Sequence, residues 1–394
     1  MNHYFANGVL TICLEGRIDS NNALTMEREI MDIMAQHPEA DLVLDGEALE
    51  YISSAGLRVL MKLRKQGRNA LTVLDVSPEV YDIFDVTGFT DILDVKKRLR
   101  EISIVGCEKM GEGNVGSVYR LNEDKIVKVY KPWMKLEDID RERSFAKTAF
   151  VNGIPSVIAY DTVKVGDCLG VVFELLRSDT LGHAIRDNPG KLEEYVDQYV
   201  TLAKTLHSTH VPAGSFTHIQ DVMHRKTDRL TQWCLPEEIA LLHSLIDSIP
   251  YADTLTHNDL HPGNIMIQDG ELVLIDMPEV TMGPPICDLV VVYRNMISAP
   301  QNSPDDIERV VGMPAELILK AGNLFFMKYT GITDPAALSV YYKQLELLCS
   351  VSLTLVPGGG SEWAMKIAPF FMEKHLRGIV IPNAQTIRNL YKTL

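Results

Sequence analysis

The stretch Thr256-His257-Asn258-Asp259-Leu260-His261-Pro262-Gly263-Asn264-Ile265-Met266 decides how this chain is read. It holds the spacing H-x-D-x-x-x-x-N, and the apolar run Leu272-Val273-Leu274-Ile275 that follows ends in a carboxylate, Asp276. Phosphoryl transfer needs a carboxylate to orient the attacking hydroxyl and accept its proton. It also needs oxygen ligands that hold Mg²⁺ against the phosphates. Asp259 suits the first role, and Asn264 with Asp276 suits the second, because hard cations take such ligands. Taken alone, Asp259-Leu260-His261-Pro262-Gly263 would serve equally as a turn. The order of the remaining motifs decides against that.

Upstream, Gly111-Glu112-Gly113-Asn114-Val115-Gly116-Ser117-Val118 fits G-x-G-x-x-G-x-V. Glycines let backbone amides approach phosphate oxygens with no Cβ in the way. A dinucleotide fingerprint would require a helix directly after the third glycine. Here Val118 to Leu121 continues as strand, Asn122-Glu123-Asp124 turns, and Lys125 to Tyr130 runs back. A glycine loop joining two antiparallel strands is the kinase arrangement. Gly111, Gly113, Gly116 and Val118 are therefore the candidate ATP-binding residues, and Lys128 would contact the α- and β-phosphates. An edge-strand lysine facing solvent is the alternative for Lys128 by itself.

The length, 394 residues, implies two or three domains. With 46% hydrophobic and 23% charged residues the composition is that of a globular protein. A net charge of −15 argues against nucleic acid as the main partner. Six scattered cysteines without a CxxC pair read as reduced thiols in a cytoplasmic protein. No basic segment followed by an apolar run opens the chain, so no signal peptide is expected. Leu345 to Val356 is too short to span a bilayer and reads as a core helix, so no membrane role is expected.

Short apolar runs at Val9 to Leu14, Leu42 to Leu44 and Leu71 to Val76 read as strands. They alternate with helical spacing over Asn22 to Ala35 and Ala55 to Lys65. This predicts a small α/β domain over residues 1–100, helices on a mixed sheet. The charged segment Asp94 to Glu101 is expected to mark a boundary, and residues 101–394 a second domain. That domain divides into a β-rich lobe (104–175) with a helix over Glu137 to Asn152, and a mainly helical lobe (176–394). Pro357-Gly358-Gly359-Gly360 is expected to be a flexible connection.

Residues 104 to about 390 resemble the aminoglycoside phosphotransferase and choline kinase-like branch of the protein-kinase-like superfamily. The resemblance rests on His257 to Asn264, on Ile275-Asp276, and on Gly283-Pro284-Pro285-Ile286-Cys287-Asp288-Leu289. It implies a two-lobed fold with ATP between the lobes, and His257 and Asp259 as catalytic residues, Asp259 being the base. It implies that Glu142 pairs with Lys128, against the alternative of a solvated charge beside Glu137, Asp138 and Asp140. Phe173-Glu174-Leu175-Leu176 looks like the hinge that binds adenine, which adds Glu174 and Leu176 to the ATP-binding candidates. His257-Asn258-Asp259 lacks the arginine of H-R-D, Asp276-Met277-Pro278 replaces D-F-G, and no A-P-E follows. A small-molecule acceptor is favoured over a peptide.

Residues 1–100 resemble the STAS domain of sulfate transporters and anti-sigma-factor antagonists. The likeness rests on Tyr51 to Leu60, Leu14 to Asp19 and Phe84 to Phe89. It implies a protein partner and a candidate phosphosite at Ser54, with Ser53 the near alternative. Either serine is equally a helix N-cap. The expectation is a MgATP-dependent phosphotransferase acting on a small hydroxylated acceptor, cationic if the cleft is acidic. Transfer to a protein serine (Ser54 or a partner's) and a non-catalytic ATP-binding regulator are the alternatives.

Overall fold

Strands β1 (His3–Ala6) and β2 (Val9–Ile18) form a hairpin turned at Asn7-Gly8, both in the left-handed region that a two-residue turn requires. Leu10, Ile12 and Leu14 alternate inward from β2 and are buried. β3 (Asp41–Ile52), β4 (Thr72–Val76) and β5 (Asp94–Lys97) follow in parallel, giving a mixed sheet of order β1-β2-β3-β4-β5. Helices α1 (Ala23–Met34), α2 (Ser54–Gln66) and α3 (Pro78–Val86) bury their apolar stripes in this unit's core. Gly56 lets α2 press on the sheet, since a Cβ there would stand 2.7 Å from Ile18 Cγ2.

This architecture comes from a computed structural model that describes residues 1–66, 71–113, 115–212 and 214–393. Two units form, Met1–Ile102 and Ser103–Leu394. The charged segment expected to be a boundary is in part a strand: Asp94–Lys97 is β5, at the end of the sheet. An edge strand tolerates charged residues because one side of it faces solvent.

In the second unit β6 (Lys109–Glu112), β7 (Gly116–Arg120), β8 (Lys125–Tyr130), β9 (Ala159–Val165) and β10 (Cys168–Glu174) pair antiparallel in the order β9-β10-β8-β7-β6. Helix α4 (Leu136–Val151) packs on β9 and β10. Helices then dominate: α5 (Leu181–Asp187), α6 (Leu192–Ser208), α7 (Ile219–Asp228), α8 (Pro236–Ile246) and, later, α9 (Ile286–Tyr293). Between α8 and α9 lie two small ribbons. One pairs β11 (Leu255–Thr256) with β14 (Thr281–Met282), and the other pairs β12 (Ile265–Gln268) with β13 (Glu271–Leu274). These ribbons carry the motif that opened the sequence reading. Among the described residues no single helix is long and apolar enough to cross a membrane.

Pro357 to Gly360 is not the flexible link expected from its composition. Pro357 and Gly358 are buried, and a Cβ on Gly358 would stand 2.0 Å from the Lys226 carbonyl. The glycine permits close backbone approach to α7, and Arg229 Nη1 donates to the Gly358 carbonyl at 3.3 Å. Packing, not mobility, uses this residue.

The π-helical turn Met372–Val380 buries His375 with its Nδ1 unpartnered. Burial, with Lys374 alongside, pulls the imidazole down to about 4 from 6.5. Between those values the unfolded chain binds more protons than the folded one, so stability rises with pH across the window and is lost as pH falls through it. The contribution is on the order of 2–3 kcal/mol. Urea denaturation from pH 7 down to 4 should show a falling midpoint, and His375→Gln should make that fall shallower. An unchanged slope would refute the assignment.

Candidate active site

Lys128 sits in the middle of β8, opposite Val118 on β7 and Val171 on β10. Its neighbour Val127 is fully buried, so strand alternation sends Lys128 to the other face. Its ammonium donates to Glu142 Oε1 at 2.7 Å and Asp276 Oδ1 at 2.8 Å. Glu142 lies on α4, only 4% exposed, and its second oxygen accepts from Tyr130 OH at 2.9 Å. Burial alone would lower the Lys128 ammonium, but the charges of Glu142 and Asp276 outweigh it and raise its pKa. The same surroundings push the Tyr130 phenol far up, through burial first and the Glu142 carboxylate second. Lys128 stays charged.

The glycine motif divides by role. A Cβ on Gly116 would stand 2.3 Å from the Val129 carbonyl, so glycine is demanded there by strand packing. Gly111 meets nothing within 4 Å, and Gly113 meets only the Gly116 carbonyl at 3.8 Å. Neither position carries a side chain that would bar a ligand, and the Gly113 amide is spent inside the loop, donating to the Gly116 carbonyl at 2.8 Å. Asn114, in the same motif, lies outside the described residues.

Asp259 follows Asn258, whose φ of +61° bends the chain sharply. Asn264 Nδ2 donates to Asp259 Oδ2 at 2.9 Å and to its carbonyl at 3.1 Å, so the Asn264 Oδ1 remains for other ligands. His261 Nε2 lies 3.5 Å and Arg294 Nη2 3.9 Å from the Asp259 carboxylate. Burial would raise this carboxyl. The His261 hydrogen bond and charge, with Arg294 and His257, reverse that and hold it well below the usual carboxylate range. Asp276 also has a positive φ, +60°, which aims its half-exposed carboxylate at Lys128. Non-glycine residues in that region are uncommon and gather at functional sites.

His257, a catalytic candidate in the sequence, is completely buried and in no position to meet a substrate. Its Nε2 donates to the Ile275 carbonyl at 3.2 Å, tying the loop to the strand that ends at Asp276. The contact is to main chain within the scaffold, away from the cavity lining. Glu174 differs too: its side chain accepts from the Ile158 amide at 2.7 Å, and the Leu175 amide donates to the Asp124 carbonyl. Leu176 is buried in the small core beneath. Any adenine contact from this segment would come from its remaining backbone.

The residue that sequence reasoning quoted without a role is Asp288. It is wholly buried in the first turn of α9, accepting from the His257 amide at 2.8 Å and the Asn258 amide at 2.6 Å. His207 Nε2 reaches its Oδ2 at 3.0 Å, and His207 Nδ1 meets Tyr329 OH at 2.8 Å. Its signal in the sequence was a carboxylate within the otherwise apolar Ile286 to Tyr293. Arg294 and Tyr130 carried no comparable signal.

A cavity of about 270 Å³ opens beside the Asp259 carboxylate, walled by α7, α9 and the helix Pro335–Thr354. Its surface is chiefly apolar, with Val222, Met223, Val291 and Leu348 among its walls. Its acids are Asp259 and Glu279, and its bases are Lys226 and Arg294. This cavity is therefore charge-balanced, and the condition set for a cationic acceptor, an acidic cleft, is not met in it.

In the first unit, Ser53 Oγ accepts from the amides of Ala55 at 3.2 Å and Gly56 at 3.4 Å, and so caps α2. Ser54 is exposed at the first position of the helix.

A β-rich lobe holding a Lys–Glu pair, joined to a helical lobe with an Asp–Asn loop, defines the class: a protein-kinase-like phosphotransferase fold. The family profile of the phosphotransferase enzyme family, APH, matches residues 107–310, and the STAS domain profile matches residues 1–102. This chain belongs to the APH phosphotransferase family and carries a STAS domain. Among curated proteins, the putative anti-sigma factor antagonist BtrV of Bordetella bronchiseptica is 38% identical over 92 residues, 23% of this chain and 78% of that protein. The anti-sigma F factor antagonist of Paenibacillus polymyxa is 31% identical over 99 residues, 24% and 82% of the two chains. Similar solved structures include the ADP-bound aminoglycoside phosphotransferase APH(2'')-Ib, at 15% identity and TM-score 0.46, covering 72% of this chain and 94% of that one. A choline/ethanolamine kinase family protein from Mesorhizobium loti gives 14% identity and TM-score 0.45, with 73% and 92% covered.

Two substitutions separate scaffold from ligand surface. Gly116→Ala should destabilise the β-rich lobe by about 1–3 kcal/mol, since its methyl has only backbone to displace, whereas Gly111→Ala should leave the melting curve unchanged. Asp288→Asn places an amide where two N–H groups converge and should lose about 3 kcal/mol in urea denaturation. Equal melting of both glycine variants, or an Asp288→Asn protein as stable as the parent, would contradict these placements.

Proposed function

We propose that the chain transfers the γ-phosphate of MgATP to a hydroxyl of a small molecule. The observation that carries this reading is Lys128, ion-paired at once to Glu142 and Asp276. A solvent-facing lysine would have neither partner. In this reading the absence of side chains at Gly111 and Gly113 lets the phosphates approach the loop closely, and Lys128 neutralises phosphate oxygens. The acceptor hydroxyl lies in the cavity beside Asp259. Its oxygen forms the new bond to phosphorus, the bond to the bridging oxygen breaks, and ADP leaves. Asp259 takes the hydroxyl's hydrogen bond and then its proton. A carboxylate held so strongly ionised orients the nucleophile more than it pulls the proton early, which suits a loose transition state.

The donor set fits Mg²⁺. Among the described residues no group of three or more His, Cys, Asp or Glu is placed to hold a metal alone. Magnesium is held by few protein oxygens together with phosphates and water. The Asp276 carboxylate and Asn264 Oδ1 would supply those oxygens, and the ion would screen charge building on the phosphates.

For the STAS unit we propose a protein partner met at the exposed start of α2. A phosphate on Ser54 would be favoured by the helix N-terminus. The anti-sigma factor antagonists among its relatives support this reading.

The test is ADP formation and phosphorylated product from labelled ATP, with a metabolite panel. Asp259→Asn and Asp276→Asn should each lower kcat by about a thousandfold or more at unchanged melting temperature. Lys128→Ala should weaken ATP binding in calorimetry. Wild-type turnover in folded Asp259→Asn protein would sink the proposal. So would an absence of ATP binding by folded parent protein.

A further inference from the structure

The cavity beside Asp259 carries information about the acceptor that the phosphate-side residues do not. Its two carboxylates are already matched: Glu279 Oε2 stands 3.6 Å from Lys226 Nζ, and Asp259 Oδ1 stands 3.9 Å from Arg294 Nη2. An ammonium entering here would meet two acids whose charge is already offset by the two neighbouring cations. The remaining wall is aliphatic, formed by side chains such as Val222, Val291, Leu348 and Leu355. Such a wall contributes by burying carbon and would leave multiple ammonium groups desolvated and unpaired. The volume, about 270 Å³, is at the low end for small-molecule sites and suits a compact compound.

Arg294 is the polar group left with capacity. Its Nε donates to Asn295 Oδ1 at 3.2 Å. Its Nη2 is too far from Asp259 for a hydrogen bond, so its terminal N–H groups have donors to spend in the cavity. The residue begins a π-helical turn, Arg294–Ser298, that continues α9. Such turns recur at functional positions. α9 is itself held to the catalytic loop by Asp288, six positions earlier on the same helix. The guanidinium is thereby fixed in register with Asp259.

We infer that the acceptor is a compact hydroxylated compound with an apolar body and an anionic group, and that Arg294 is the residue that selects it. This rests on the proposed phosphotransfer and narrows its substrate. A planar guanidinium takes a carboxylate or a phosphate ester through paired N–H donors. Its place beside Asp259 puts the anionic group near the hydroxyl that is phosphorylated. Amino sugars and amino alcohols are disfavoured, because Arg294 and Lys226 offset the charge of the cavity's two carboxylates.

The experiment gives full-length protein saturating MgATP and four matched acceptor sets: short-chain hydroxy acids, hydroxylated phosphate esters, neutral diols, and amino alcohols with an amino sugar. ADP release and product mass are read for each. Turnover should concentrate in one of the two anionic sets, which also decides between carboxylate and phosphate. Arg294→Gln should raise KM for that acceptor at least about tenfold with a smaller change in kcat, and Arg294→Lys should recover part of the loss. ATP binding, measured separately by calorimetry, should be unaltered in both variants. Turnover of amino alcohols or the amino sugar at or above the anionic sets would overturn the inference. So would an Arg294→Gln protein whose kcat falls equally for every set at constant KM, which would assign the guanidinium to the transferring phosphate. ATP hydrolysis with no set phosphorylated or bound would overturn it too. A folded protein that binds no ATP would instead remove the phosphotransfer reading on which it rests.

Discussion

The ammonium of Lys128 is the point on which the kinase-like unit turns. A charged group so nearly enclosed is tolerated only where opposite charge and hydrogen bonds replace the lost water. Three separate segments supply them: α4 through Glu142, the loop after β13 through Asp276, and β8 through Tyr130, which fixes the second oxygen of Glu142. Removing Glu142 would leave the enclosed ammonium only the half-exposed Asp276 carboxylate, whereas removing Asp276 would leave the buried Lys128–Glu142 pair intact. The pair therefore fixes the register of α4 against the sheet and holds the Asp276 carboxylate toward the phosphate-side residues.

A second buried charge does the same for the catalytic loop. Asp288 gathers the amides of His257 and Asn258, and His207 extends that network to Tyr329. His257 then ties the loop to the Ile275 carbonyl, so the chain just before Asp276 and the chain just before Asp259 are held by one histidine. Tyr199 adds a hydrogen bond to the Leu260 carbonyl at 2.9 Å. The outcome is a loop with positive φ at Asn258 and again, past the hairpin, at Asp276. Those conformations are disfavoured locally and persist because the surrounding network over-determines them.

Electrostatics divides this site into two parts. On one side the Lys128 ammonium meets the Asp276 carboxylate, positive and negative charge set together. In the cavity beside Asp259, acids and bases cancel in pairs against an aliphatic wall. A net charge of −15 over the whole chain says nothing about that balance. The field in a cleft is set by the few charges within a Debye length.

Sequence alone determined the order of strands and helices, the two units, and the local chemistry of the motifs. This information is short-range. Alternation in β2, the glycines of the β6–β7 turn, and H-x-D-x-x-x-x-N each lie within a dozen or so residues, where backbone sterics and side-chain period dictate the outcome. Residues 94–101 run up to the division between the units while also supplying an edge strand; residues 357–360 misled, because composition marks flexibility while neighbours decide use, and Gly358 packs on Lys226. Only the tertiary structure decided that Glu142 is a buried partner and not a solvated helix charge, since its fate depends on Lys128 and Tyr130 arriving from another strand. The scaffold role of His257, the anchoring by Asp288 and the place of Arg294 beside Asp259 were settled the same way. Each depends on groups separated by 18 to 35 positions in the chain but adjacent in space, and one sequence holds no local signal for such a meeting.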